Sequence, residues 1–181
     1  MTDIGPDDAP DERTDSRGPG ELGSPAIKTA WQQTLEDMRA LEAQREEEGW
    51  EVVSLVAGDT APTTPSTSRD DSFGLVFVVP GSDAEAFAEA FERGTFPRYE
   101  VYRNTADRHV FLVVEYLDPE EELAVLVAGA YSLERAEDMA KIAQREEEMY
   151  THVRKLDGTV VGSFRHEKYA KFVPDAGEFS R

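Results

Sequence analysis

Two runs of this chain, FGLVFVV at 73–79 and LAVLVAGAY at 123–131, are apolar or glycine at every position. A strand wetted on one face alternates oily and polar residues; a strand without alternation needs cover on both faces. The chain must therefore build a sheet whose middle strands lie between further layers. A third run, HVFLVVEYL at 109–117, is nearly as apolar. The polar turn TADR joins it to YEVYRN at 99–104 as a hairpin.

The covering layers are expected from segments of helical period. Ile27, Trp31, Leu35, Met38 and Leu41 recur at helical spacing and predict a helix over 26–48. Ser24 suits its cap, Pro25 its first turn and Gly49 its stop. WEVVSLVA at 50–57 reads as a strand. GSDAEAFAEAFERG at 81–94 is a second helix, with Ser82 and Glu85 placed as a capping box. DPEE at 118–121 is a turn. A third helix opens near Ser132. Met139, Ile142, Ala143, Met149, Tyr150, Val153 and Leu156 extend its spacing to Leu156. TVVGSF at 159–164 is a short last strand.

The resulting order is αββαβββαβ. The expected fold class is α+β in three layers, with one mostly antiparallel central sheet of five to six strands and helices on both faces. Residues 1–24 read as a disordered acidic tail, 25–173 as a single domain containing a long polar loop at 58–72, and 174–181 as a fraying end.

The pentad QREEE occurs twice, at 44–48 and 144–148. The distance from the Glu-Asp-Met unit to the pentad differs by one residue between the two copies (Glu36 to Gln44, Glu137 to Gln144), so the two contexts differ in helical phase. The segments after the pentads do not correspond. The repeat reads as two acidic amphipathic helices of independent origin, with side-by-side packing of the two as the alternative.

Charge and composition remove several functions. The 181 residues hold 38 acids, 19 bases and no cysteine, for a net charge of −19. Disulfides, thiolate metal sites and a cysteine nucleophile are excluded. Such a charge repels itself in dilute buffer, and molar salt screens it. The acidity therefore reads as adaptation to a salt-rich cytoplasm, and the protein as cytoplasmic. No apolar leader opens the sequence and no eighteen-residue apolar stretch occurs, so no membrane partner is expected.

No linear motif for catalysis or for a cofactor is present: no phosphate loop, no Gly-x-Ser-x-Gly elbow, no paired zinc histidines. No catalytic residue, metal ligand or cofactor is assigned. His152, His166 and Glu167 would approach a metal only if the last strand folded back on the last helix. Ser82 reads as a helix cap. Trp31 and Trp50 read as core.

One segment departs from the acidic background. Between 150 and 173, five bases face two acids, a local charge of +3. Arg154, Lys155, Arg165, His166, Lys168 and Lys171 are the candidate partner-binding residues, interleaved with Tyr150, Phe164, Tyr169 and Phe172. The segment either docks on the protein's own acidic surface, meets an acidic protein, or touches nucleic acid.

Two resemblances follow. The element order over 26–157 resembles the roadblock (dynein light-chain 7) architecture, which implies one antiparallel sheet between helices; only the order is shared. The strings EEGWE, AGDTAPTTP, FGLVFVVPG and HVRKLDGTVVGSF look like segments of a small haloarchaeal family of unknown function, spanning 25–173. The expected function is a non-catalytic interaction module, a homodimer or the partner of an unidentified protein. A small-ligand sensor or regulator is one alternative. A nucleic-acid or ribosome-associated factor using the basic segment is another.

Overall fold

The computed structural model describes residues 23–67 and 72–174. It is α+β, with three α-helices and eight strands among these residues. Helix α1 (Pro25–Glu47) leads into β1 (Glu51–Val56), β2 (Asp59–Thr63) and β3 (Gly74–Val79). After α2 (Gly81–Arg93) come β4 (Arg98–Ala106), β5 (His109–Asp118) and β6 (Leu123–Ser132). Helix α3 (Leu133–Glu146) precedes β7 (Met149–Lys155) and β8 (Val160–His166), and a 3₁₀ turn, Tyr169–Lys171, follows.

The strands form two four-stranded sheets, ordered β1-β6-β5-β4 and β2-β3-β7-β8. This overturns the expected single sheet of five to six strands and its roadblock-like layering. Each sheet is mixed: β1 runs parallel to β6 and β3 parallel to β7, while the remaining neighbours are antiparallel. The demand for cover on both faces was sound, but the cover on one face is a second sheet.

The side-chain parity of β5 and β6 shows how. Val110, Leu112, Val114 and Tyr116 with Leu123, Val125, Val127 and Tyr131 face the core shared with the second sheet. Phe111, Val113, Leu126, Ala128 and Ala130 face α1, where they meet Ile27, Ala30, Trp31 and Met38. From the opposite sheet, Leu75, Phe77, Val79, Met149 and Val153 fill the shared core. Helices α2 and α3 add Ala84, Phe87, Ala90, Ala136, Met139 and Ala143 to that same core. The two sheets approach closely at Gly129, where a Cβ would collide with Thr60 Oγ1 and the Phe77 ring.

Helix α1 has the termini its sequence called for. The Ser24 hydroxyl accepts from Ile27 N at 3.3 Å, and Pro25 occupies the first turn. Gly49 then takes φ +92° and releases the chain into β1. The far end of α1 is fastened to the first sheet. Arg45 Nε donates to Glu115 Oε2 at 2.8 Å, and Glu115 is wholly buried. The Arg45 guanidinium also lies 5.1 Å from the centre of the Trp50 ring. Trp31 is core, as expected; Trp50 is half-buried under this arginine.

Two elements differ from the periodic reading. The third helix stops at Glu146 because Glu147 turns left-handed (φ +57°), and 149–155 is strand β7. Met149, Thr151 and Val153 are its inward set, a period of two that the acidic run masks by resembling helix. The long polar loop contains β2, which pairs antiparallel with β3 and tolerates Pro62 because it is an edge strand. Helix α2 begins without the expected Ser82 cap: Pro80 holds the capping position and no side chain caps it.

The tail expected at 1–24 lies outside the described residues except for its last two, as do 68–71 of the polar loop and 175–181 of the fraying end. The pentads lie in different layers: α1 rests on the outer face of the first sheet, while α3 packs into the inter-sheet core. No helix among the described residues is long and apolar enough to cross a membrane.

Candidate functional site

A sandwich of two open sheets has flanks where edge strands lie near each other. Here β4 ends the first sheet and β8 ends the second. Between them opens a cleft of about 870 Å³, with the 94–97 segment after α2 at one end and residues 167–171 at the other.

Its inner wall is aromatic because inward-facing residues of both sheets meet there. Tyr116 of β5 and Phe164 of β8 stack with centroids 3.9 Å apart. Phe91 and Phe96 stand edge-on to Phe164 at 5.4 and 6.0 Å. Tyr99 of β4 contacts His166 of β8 at 4.5 Å and Phe172 at 5.8 Å.

The segment at the α2 end is held by one carboxylate. Asp118 Oδ2 accepts from Thr95 N at 2.6 Å and Phe96 N at 3.2 Å, while Oδ1 accepts from Glu121 N at 3.1 Å. Burial pushes the Asp118 pKa up, but the backbone N–H groups of Thr95, Glu121 and Phe96 outweigh it, and the net shift is downward. This clamp holds Phe96 at φ +48°, a conformation that disfavours side chains.

The rim is cationic. Arg98, Arg165, Lys168 and Lys171 line the cleft against Glu100 and Glu167. Arg165 is neutralised by Glu148 at 2.6 Å and Glu167 at 3.4 Å. Lys171 lies 3.4 Å from Glu100 and 5.2 Å from the centre of the Tyr99 ring. Arg98 and Lys168 are exposed and form no ion pair among the described residues.

Beneath the rim runs a buried polar chain. The Tyr116 hydroxyl lies 2.7 Å from Thr151 Oγ1, which lies 2.8 Å from His166 Nε2. All three residues are at most 1 % exposed. Burial, with a smaller contribution from the charge of His152, lowers the His166 pKa to about 3, so the ring is neutral at physiological pH. Burial raises the Tyr116 pKa, and its phenol stays protonated.

Of the six residues expected to bind a partner, four line this cleft: Arg165, His166, Lys168 and Lys171. Arg154 and Lys155 lie at the other end of the β7–β8 hairpin, beside its turn, and do not join them. His152 and His166 make separate hydrogen bonds, His152 to Ser163 Oγ and His166 to Thr151. Among the described residues, no group of three or more His, Asp or Glu could hold a metal ion. The sequence did not point to Arg98, Tyr99, Phe96, Tyr116, Asp118 or Thr151. All but Thr151 are separated from 163–171 by a stretch of chain that no local spacing can bridge; Thr151 faces Phe164 across the β7–β8 hairpin, which the helical reading of 149–156 concealed.

Searches of curated proteins and of solved structures find no match. A family profile does match, over residues 21–174, and so covers every element described above. The chain belongs to DUF7529, a family of unknown function.

Proposed function

We propose that this protein is a non-catalytic binding module whose site is the β4–β8 cleft, and that it acts as a sensor or regulator of a small anionic molecule bearing a planar ring. One observation carries this reading. On a chain of net charge −19, the cleft gathers four cations over an aromatic wall. Two of them, Arg98 and Lys168, are left without an ionic partner among the described residues. A cation rim attracts an anion, and half-buried Phe91, Tyr99 and Phe164 offer apolar surface to a ring.

The test is calorimetric titration of the full chain with adenosine monophosphate, nicotinic acid and inorganic phosphate. The ring-bearing anions should bind more tightly than phosphate. Lys168→Glu with Arg98→Glu should abolish binding while leaving the circular dichroism spectrum intact. Equal, salt-labile and weak binding of all three probes would contradict the reading.

Homodimerisation is a second reading, favoured by the free edge of β4. This nine-residue strand is largely exposed and closes one side of its sheet. Light scattering that shows a dimer in wild type and a monomer in Val101→Pro would support it. Nucleic-acid binding has less support, because Phe172 of the basic segment is wholly buried and Tyr150 is engaged edge-on with Phe73.

A further inference from the structure

The hydrogen positions in the buried chain follow from counting donors. The Tyr116 phenol is protonated, and its one hydrogen-bond partner among the described residues is Thr151 Oγ1. A buried O–H needs an acceptor, so Tyr116 donates to Thr151. The threonine hydroxyl has one hydrogen, and its other partner is His166 Nε2. Thr151 therefore donates to Nε2. A neutral imidazole that accepts at Nε2 carries its proton on Nδ1. With Nε2 protonated instead, two buried groups would go unmet, a hydroxyl hydrogen of Tyr116 or Thr151 and the bare Nδ1; the assigned polarity leaves one.

Among the described residues His166 Nδ1 has no hydrogen-bond partner, although it is shut off from solvent. The chain Tyr116–Thr151–His166 thus terminates in a buried, unsatisfied N–H at a residue of the cleft wall. Two rings flank the imidazole at 4.5 Å, Tyr99 and Phe172. Phe172 is wholly buried, and its carbonyl is held by the Tyr131 hydroxyl at 2.7 Å. Tyr99 is half-buried on the cleft side, and among the described residues its hydroxyl takes only a long 3.4 Å bond from Lys168 N. Tyr99 is the easier of the two to displace.

We propose that Nδ1–H of His166 is the donor that reads an acceptor atom on the cleft's ligand, and that Tyr99 is the cover that moves to admit it. The proposal rests on the cleft being a ligand site. It narrows the ligand to a planar heterocycle with two features: a phosphate or carboxylate for the cationic rim, and a ring acceptor, a carbonyl oxygen or bare nitrogen, for His166. An amine or amide N–H presented at that position is rejected, because donor would face donor.

Long-range proton–nitrogen correlation spectra of the full chain, uniformly labelled with nitrogen-15, test this. Without ligand, the His166 pattern should show Nδ1 protonated and Nε2 accepting. Saturation with adenosine monophosphate or with nicotinic acid should shift Nδ1 and its proton. The probe that does so identifies the anion as phosphate or carboxylate. His166→Phe, which keeps a ring in the core, should weaken binding about tenfold, the loss expected for one hydrogen bond. An Nε2-protonated pattern in the free protein overturns the proposal whatever binds, and whether or not the variant folds. If probes shift Arg98 and Lys168 signals but leave Nδ1 unmoved, this proposal falls and the cleft remains a ligand site. If neither probe shifts any cleft signal, both readings fall.

Discussion

Replacing Arg45 by alanine isolates the joint between α1 and the first sheet. The substitution leaves Glu115 wholly buried, facing among the described residues only the Tyr102 hydroxyl at 3.4 Å. Breaking a buried pair by removing one partner costs about 3–5 kcal/mol. Arg45 itself is 22 % exposed, so water can reach part of the vacated space. The expected cost is therefore below that range, about 2 kcal/mol. Replacing both partners by apolar residues, Arg45→Met with Glu115→Leu, removes the stranded charge and should recover most of the loss.

Urea unfolding in a Trp50→Phe background, where fluorescence reports Trp31 alone, is the assay. Trp31 is 3 % exposed in the α1 layer, so its signal reports the separation of that layer. The cost should persist in about 1 M salt, where exposed charges are screened over about 3 Å. By contrast, Arg93–Glu51, with side chains 38 % and 55 % exposed, should contribute little at that ionic strength. A loss below about 0.5 kcal/mol for Arg45→Ala, or a double variant no more stable than the single one, would refute the reasoning.

Three further outcomes follow from the same geometry. With a folded pKa of about 3 against 6.5 unfolded, the buried His166 ring gives stability that is complete above about pH 6.5 and lost as pH falls towards 3. Comparing urea midpoints of wild type and His166→Phe between about pH 6 and pH 5 should show the wild type losing up to about 1.4 kcal/mol more per pH unit. Asp118→Asn should destabilise by about 1–2 kcal/mol by chemical denaturation, since it replaces a charged acceptor of three backbone N–H groups. Because the Asp118 pKa is depressed, the wild type's advantage over this variant should vanish as pH falls through the folded pKa. Gly74→Ala should prevent folding, because its Cβ would strike the Tyr150 carbonyl at φ +127°; Gly49→Ala, with open space at φ +92°, should cost about 1 kcal/mol by thermal melting.

Local patterns were legible wherever one force dominated. Ser24, Pro25 and Gly49 mark α1 because capping is a short-range matter of backbone groups. The TADR hairpin closes at Asp107 and Arg108, both left-handed, within the stretch the polar letters indicated. Layering was less legible. An apolar face reads the same whether a helix or a sheet covers it, so LAVLVAGAY could not disclose that one side meets α1 and the other meets Phe77. The acidic run at 146–148 misled for a related reason: charged residues suit helix surfaces, and they concealed the period of two in Met149, Thr151 and Val153. At the cleft, charge contrast found Arg165, Lys168 and Lys171, because excess charge is visible without a fold. Tyr116 and Thr151 were hidden, since an isolated hydroxyl in a strand says nothing of the imidazole it will meet.

The cleft draws its walls from both slabs of the sandwich, Arg98 and Tyr99 from one and Phe164 and His166 from the other. A molecule seated there bolts the slabs together at the flank where no backbone ladder joins them. Occupancy should therefore raise the melting temperature in proportion to the logarithm of ligand concentration, and a thermal-shift screen of planar anions tests whether any of them binds there.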